Sequence, residues 1–107
     1  MAGALSRGDV RLCRFAPADK PRPVLILTRG HAIGYLATVT VAPITSTIRS
    51  VPSEVILDID DGMKRPCAVN LHNLVTVAQA RVGRRLASLS AERLAQVCAA
   101  LRFSLGC

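Results

Sequence analysis

Hydrophobic and polar positions alternate in short runs along most of the chain, and the period changes once, near residue 90. Val10-Arg11-Leu12-Cys13-Arg14-Phe15 alternates with period two and predicts a first strand. Val24-Leu25-Ile26-Leu27-Thr28 is continuously apolar, as expected of a strand covered on both faces. Tyr35 to Ala42 is rich in β-branched residues and predicts a third strand. Glu54 to Ile59 predicts a fourth, closed by the turn Asp60-Asp61-Gly62, and Cys67–Leu71 and Leu74–Ala78 predict two more. The connections differ in stiffness. Ala16 to Pro23 holds three prolines in eight residues, hence a loop with little backbone freedom, whereas Arg29 to Gly34 is a glycine-flanked turn.

After Ser90, a good helix N-cap with Glu92 in the first turn, Leu94, Val97, Cys98, Leu101 and Leu105 recur at helical spacing, and Gly106 marks the end. Burying the four aliphatic side chains of this face would contribute roughly 1.5–3 kcal/mol each, so the helix is expected to complete the core. A shorter helical turn is expected over Arg81 to Leu86. Many short strands followed by one helix predict a mainly β domain: a small, strongly curved sheet or partly open barrel with a C-terminal helix packed against it. At 107 residues, positions 1–107 are expected to form one domain. No apolar run approaches the roughly 20 residues of a membrane span, and the N-terminus has no signal-peptide core, so a cytoplasmic protein without membrane partners is expected.

Charge adds a preference for partners. Lys and Arg total 14 against 7 Asp and Glu, for a net charge of +7. Residues 1–52 carry seven basic and two acidic groups, residues 53–61 carry four acidic and no basic groups, and residues 62–107 carry seven basic and one acidic. Two basic territories flanking one acidic segment favour polyanions, of which nucleic acid is the commonest soluble kind. Cys13, Cys67, Cys98 and Cys107 have no CxxC spacing, and His31 and His72 stand 41 positions apart, so no metal site or cofactor is expected. Cys13 and Cys98, among apolar neighbours, read as small buried hydrophobes.

Three groups carry candidate chemistry. Arg22 lies between Pro21 and Pro23 and is anchored by the strand from Val24, so its guanidinium has less freedom to lose when it grips a phosphate with two parallel hydrogen bonds. The stretch Ala42-Pro43-Ile44-Thr45-Ser46-Thr47-Ile48-Arg49-Ser50 gathers hydroxyls and an arginine at the end of the third strand; these serve either a turn or phosphate oxygens. His72, within Asn70-Leu71-His72-Asn73, is a candidate because a free imidazole, with a reference pKa of about 6.5, suits proton transfer at neutral pH. His31 reads as an exposed loop residue, and Arg81-Val82-Gly83-Arg84-Arg85 as a solvated face or partner surface.

Taken in order, Arg7-Gly8-Asp9-Val10, Arg22-Pro23-Val24-Leu25, Val41-Ala42-Pro43-Ile44-Thr45-Ser46-Thr47, Glu54-Val55, Ala68-Val69-Asn70-Leu71 and the ending from Leu89-Ser90-Ala91-Glu92-Arg93-Leu94 through Leu101 resemble the MazF/PemK toxins of bacterial toxin–antitoxin modules, nearly end to end. The resemblance implies an SH3-like, partly open barrel, homodimeric, that cuts single-stranded RNA at short sequences without metal or ribosome and so inhibits translation and growth. In such enzymes the RNA's 2′-hydroxyl attacks the adjacent phosphorus, leaving a 2′,3′-cyclic phosphate and a 5′-hydroxyl. The family's catalytic arginine falls on Arg22 and its threonine on Thr45, with Arg22 clamping the phosphate and able to protonate the leaving oxygen. Lys20, Arg29, Ser46, Thr47, Arg49 and Asn73 are then expected RNA contacts. The implied partner is a MazE-like antitoxin whose acidic C-terminal tail lies over the same basic groove.

The chain departs from the pattern in two places. Its first loop lacks the Gly-Ser-Glu-Gln type of sequence, and His72-Asn73 stands where the family often has Asp-Gln; either His72 replaces an acidic base or the proton goes elsewhere. Aromatic content is only 3%, which leaves Phe15, Tyr35 and Phe103 for any stacking on bases. Two other readings compete. A gyrase poison resembling CcdB, of the same fold, depends on a tryptophan near its C-terminus, and this chain has none. A basic SH3-like module could bind nucleic acid without chemistry.

Overall fold

The fold is seen in a computed structural model that describes residues 5–30 and 37–106. His31, the rest of its turn through Gly34, the predicted strand start at Tyr35, and Cys107 lie outside the described residues. The described residues form seven strands: β1 (Asp9–Cys13), β2 (Arg22–Ile26), β3 (Thr38–Thr45), β4 (Glu54–Leu57), β5 (Cys67–Asn70), β6 (Val75–Ala78) and β7 (Val82–Ser88). The C-terminal helix α1 spans Ala91–Leu105. Neighbouring strands run in the order β4-β5-β3-β2-β1-β7, with β6 also paired to β3, and every pairing is antiparallel. No helix among the described residues is long and apolar enough to cross a membrane.

The continuous apolar run of β2 serves two cores. Leu25 packs into a cluster with Val10, Leu57, Val69, Leu71 and Val97, while its neighbours Val24 and Ile26 point the other way, into a cluster with Cys13, Val39, Val41 and Val82. All three β2 residues are fully buried, which the alternation of strand side chains makes possible only when both faces are covered. β3 joins the two halves of the sheet. Val41 to Pro43 pair with β2, Thr38 to Val41 pair with β6, and Ile44 and Thr45 pair with Val69 and Ala68 of β5. The strand therefore runs through Thr45, past the predicted end at Ala42, and its last two residues knit a second ladder.

Two further expectations are corrected. Arg81 to Leu86 is not a helical turn: a short 3₁₀ segment ends at Arg81, and Val82 onward is strand β7. In α1, Val97 and Ala100 are buried and Leu94 and Leu101 pack against the core, but Leu105 is 60% exposed, so the buried face ends one turn early. The helix bounds stand as expected: Ser90 Oγ accepts from the Arg93 amide at 3.1 Å, and Gly106, at φ 74°, closes the C-terminus with a bond to Arg102 O.

α1 also holds a turn that matters below. After β4, Asp58 caps a 3₁₀ turn, Ile59–Asp61, and Gly62 ends it at φ 93°, a conformation that favours glycine. Arg93 Nε donates to Asp61 Oδ1 at 2.9 Å, and the Asp58 amide donates to Asp61 Oδ2 at 2.9 Å. Burial pushes the Asp61 carboxyl up, but the Arg93 hydrogen bond, the Asp58 amide and the guanidinium charge together outweigh it and hold the pKa below its ordinary 3.8. A carboxylate whose pKa is lowered on folding stabilises the fold above its unfolded value, and that contribution is lost as pH falls through the folded value. Arg93→Ala is therefore expected to cost about 1–2 kcal/mol at pH 7, between the values for exposed ion pairs and for buried charged hydrogen bonds. In urea denaturation, the gap between wild type and variant should hold from pH 7 to 5 and shrink below the ordinary carboxylate value of 3.8.

Candidate active site

Arg22 opens β2, where Pro21 and Pro23 flank it and its side chain stands exposed above the buried Val24. The register Val24↔Pro43, Leu25↔Ala42 between β2 and β3, carried two residues on, sets Thr45 across from Arg22. Thr45 Oγ1 accepts from the Thr47 amide at 3.1 Å. With an amide already feeding its oxygen, the hydroxyl has its own hydrogen to give to an anion. Both residues border a cleft of about 850 Å³. Ser46 joins them on the rim, and Leu12, Ile44, Cys67 and Leu86 supply apolar lining. Burial, with the negative charges of Asp61 and Asp58, pushes the Cys67 thiol up, so it stays protonated at neutral pH.

The rest of the wall is cationic. Lys64 and Arg65 follow the Gly62 turn that Arg93 holds, and Arg84 and Arg85 come from β7. With Arg22 these make five basic side chains, and the described residues lining the cleft include neither a carboxylate nor a histidine. Such a surface concentrates anions.

Consecutive strand residues normally point to opposite faces, yet Arg84, Arg85 and Leu86 all line this one cleft. The reason is a register shift. The seven residues of β7 lie against the five of β1, from Asp9↔Ser88 to Cys13↔Val82, with irregularities between Val10 and Arg11 and between Arg11 and Cys13. An extra residue on one strand breaks the alternation and re-aims the side chains beside it. At the centre lies a buried ion pair. Arg11 Nε and Nη2 donate to Asp9 Oδ2 at 3.3 and 3.2 Å, while Arg11 Nη1 donates to the Gly83 carbonyl at 3.1 Å. Asp9 also accepts from the Ser6 amide at 3.1 Å and from Ser88 Oγ at 3.2 Å. Both charged side chains are only 5% exposed, so β1 spends a buried charge on holding β7 in its bulged path.

Of the residues singled out from sequence, the cleft brings together Arg22, Thr45 and Ser46. Lys20, Arg29, Thr47, Arg49, His72 and Asn73 do not line it. Glu54 Oε1 accepts from the Arg49 and Ser50 amides at 3.0 Å each, which orders the strand-end loop and leaves the Arg49 side chain exposed. The His72 ring shares a hydrogen bond between its Nδ1 and Ser53 Oγ, and its amide donates to Asn70 Oδ1 at 3.0 Å. Arg84 and Arg85, expected on a solvated face or partner surface, are exposed and also line the cleft, as do Lys64 and Arg65, for which the sequence suggests no role. Their signal is local and weak, a basic pair behind a glycine in each case.

A second groove lies between β4 and α1 and is largely apolar, with Val51, Ile56, Ala99 and Phe103 among its lining. Ile56 is 41% and Phe103 63% exposed.

Residues 6–105 match the family model for the PemK-like, MazF-like toxin of type II toxin–antitoxin systems. The chain is 38% identical over 108 residues to the probable endoribonuclease MazF5 of Mycobacterium tuberculosis, covering 100% of this chain and 98% of that one. Among solved structures it superposes on the Mycobacterium tuberculosis toxin MazF-mt6 with a TM-score of 0.83 and 34% identity, covering 92% and 96% of the two chains. It also superposes on a mycobacterial endoribonuclease in complex with its cognate antitoxin, with a TM-score of 0.84, 25% identity and 96% of each chain covered.

Proposed function

Because the chain belongs to the family of PemK-like, MazF-like toxins of type II toxin–antitoxin systems, we propose that it is an endoribonuclease toxin whose reaction takes place between Arg22 and Thr45. The observation that carries this reading is that Arg22 and Thr45, on the neighbouring strands β2 and β3, border one cleft with four further cations. A scissile phosphate seated there gives its non-bridging oxygens to the Arg22 guanidinium and the Thr45 hydroxyl. The RNA's own 2′-hydroxyl attacks phosphorus and gives its proton to water, the bond from phosphorus to the 5′-oxygen breaks, and that oxygen takes a proton from the Arg22 guanidinium, which water then reprotonates. The products are a 2′,3′-cyclic phosphate and a 5′-hydroxyl. Negative charge gathers on the non-bridging oxygens along the way, where one preorganised donor contributes about 2.7–4 kcal/mol. No metal enters this scheme.

Single-stranded RNA suits the cleft because its backbone can bend into a concave basic site. Restraint by a cognate antitoxin follows from the same charge, since a flexible acidic tail would compete for the cations that hold RNA. The solved relative bound to its cognate antitoxin supports that partner. We assign the working form as a cytoplasmic homodimer. The β4–α1 groove offers an apolar surface suited to a second copy, with Ile56 and Phe103 exposed upon it.

The decisive experiment uses one long RNA whose cut sites have been mapped, resynthesised with a single 2′-deoxynucleotide 5′ to one scissile bond. Cleavage is expected to vanish at that bond alone and to continue elsewhere in EDTA, with cyclic phosphate ends. Cutting at the deoxy position, or a requirement for divalent metal, would overturn the mechanism.

A further inference from the structure

We propose that Lys64, Arg65, Arg84 and Arg85 form a second phosphate-binding wall, which grips the RNA backbone beside the scissile phosphate and sets affinity rather than chemistry. The inference rests on the RNA-cleavage reading of the same cleft. All four side chains are exposed, all four border the cleft, and none forms an ion pair or side-chain hydrogen bond among the described residues. Clustering four uncompensated cations costs folding energy through repulsion, so an anion is the ligand that suits them. One phosphate is already met by Arg22 and Thr45, and a cleft of about 850 Å³ is larger than one phosphate fills. The remaining cations therefore face neighbouring links of the same chain.

The fold invests in this wall twice. Arg84 and Arg85 stand in the bulged part of β7, next to Gly83, whose carbonyl accepts from Arg11, itself paired with Asp9. The turn bearing Lys64 and Arg65 is held by Arg93 through Asp61. Backbone phosphate contacts carry no base information, so the wall is expected to raise affinity for every RNA sequence alike.

The test is binding of a 2′-O-methyl oligoribonucleotide that spans a mapped cut sequence and cannot be cleaved. Its affinity is measured against salt for wild type, for Arg84→Gln with Arg85→Gln, and for Lys64→Gln with Arg65→Gln, each checked for an unchanged melting temperature. If each pair holds two phosphates, each double variant should flatten the slope of log K against log salt by about 1.4. On cleavable RNA, KM should rise while kcat at saturation stays at the wild-type value. Wild-type affinity and slope in both double variants, with wild-type protein still binding and cutting RNA, would overturn the second wall and leave the endoribonuclease reading intact. A fall in kcat with KM unchanged would overturn it too, by moving these cations into the chemistry. Wild-type protein that neither binds the oligonucleotide nor cuts RNA would defeat the underlying reading itself.

Discussion

Arg22→Ala is expected to lower kcat for RNA cleavage by about 10²–10³-fold, the loss measured when one preorganised donor is removed from a developing oxyanion. Its melting temperature should stay at the wild-type value. The side chain is exposed and the strand behind it is anchored by Val24, Leu25 and Ile26, all fully buried. Exposed substitutions of this kind usually stay within about 0.5 kcal/mol. Arg22→Lys separates charge from shape: a lysine keeps the charge but cannot make two parallel bonds to one phosphate, so it should recover only part of the rate. Thr45→Val, which keeps the branched shape and removes the hydroxyl, should fall in the same direction as Arg22→Ala. Single-turnover cleavage at saturating enzyme reads all three, and full activity in Arg22→Ala would refute the assignment.

The second large effect is on stability. Arg11→Met strands the Asp9 carboxylate, with its side chain 5% exposed, and leaves the Gly83 carbonyl without this guanidinium donor. Breaking a buried ion pair from one side costs about 3–5 kcal/mol, because the surviving charge stays buried without compensation. Asp9→Leu combined with Arg11→Met should recover much of that loss, since two apolar side chains carry no desolvation cost. Recovery has a limit here: Asp9 also accepts from Ser6 and Ser88. The informative measurement is RNA affinity in the stable double variant. Restored folding with weakened binding separates the pair's role in shaping β7 from its role in holding the protein together; wild-type binding would show that the bulge persists without it.

Much of this fold was legible in the sequence, and the exceptions share a cause. The helix was readable because its signals are local: Ser90 caps it, the apolar spacing repeats within a turn, and Gly106 ends it. β2 was readable because burial on both faces writes an unbroken apolar run. β7 was not, because its path depends on a partner 70 residues away in the chain. Two extra residues against β1 erase the period-two pattern, and Val82-Gly83-Arg84-Arg85-Leu86 then carries no recognisable strand signature. The end of β3 was missed similarly, since Ile44 and Thr45 are strand only by virtue of β5.

The candidate site divides along the same line. Arg22 was marked by its flanking prolines and Thr45 by its place after an apolar strand, features visible within a few residues. The cations opposite them were invisible as a group, being assembled from a turn and a bulge that only tertiary structure brings together. His72 shows the converse. Its imidazole is of a type that can move protons at neutral pH, yet it bonds Ser53 and does not line the cleft, and geometry comes first in choosing a base.

A strand that has already accommodated two extra residues has no strict register left to protect on that side. Arg22 pairs with Cys13 of β1 and Thr45 with Ala68 of β5, in ladders without irregularities, where one inserted residue would swap every side chain between core and solvent. Lys64, Arg65, Arg84 and Arg85 are exposed, so those four side chains can be exchanged while the core stays closed. Substitutions there would change how tightly RNA of any sequence is held while the reaction between Arg22 and Thr45 stays fixed.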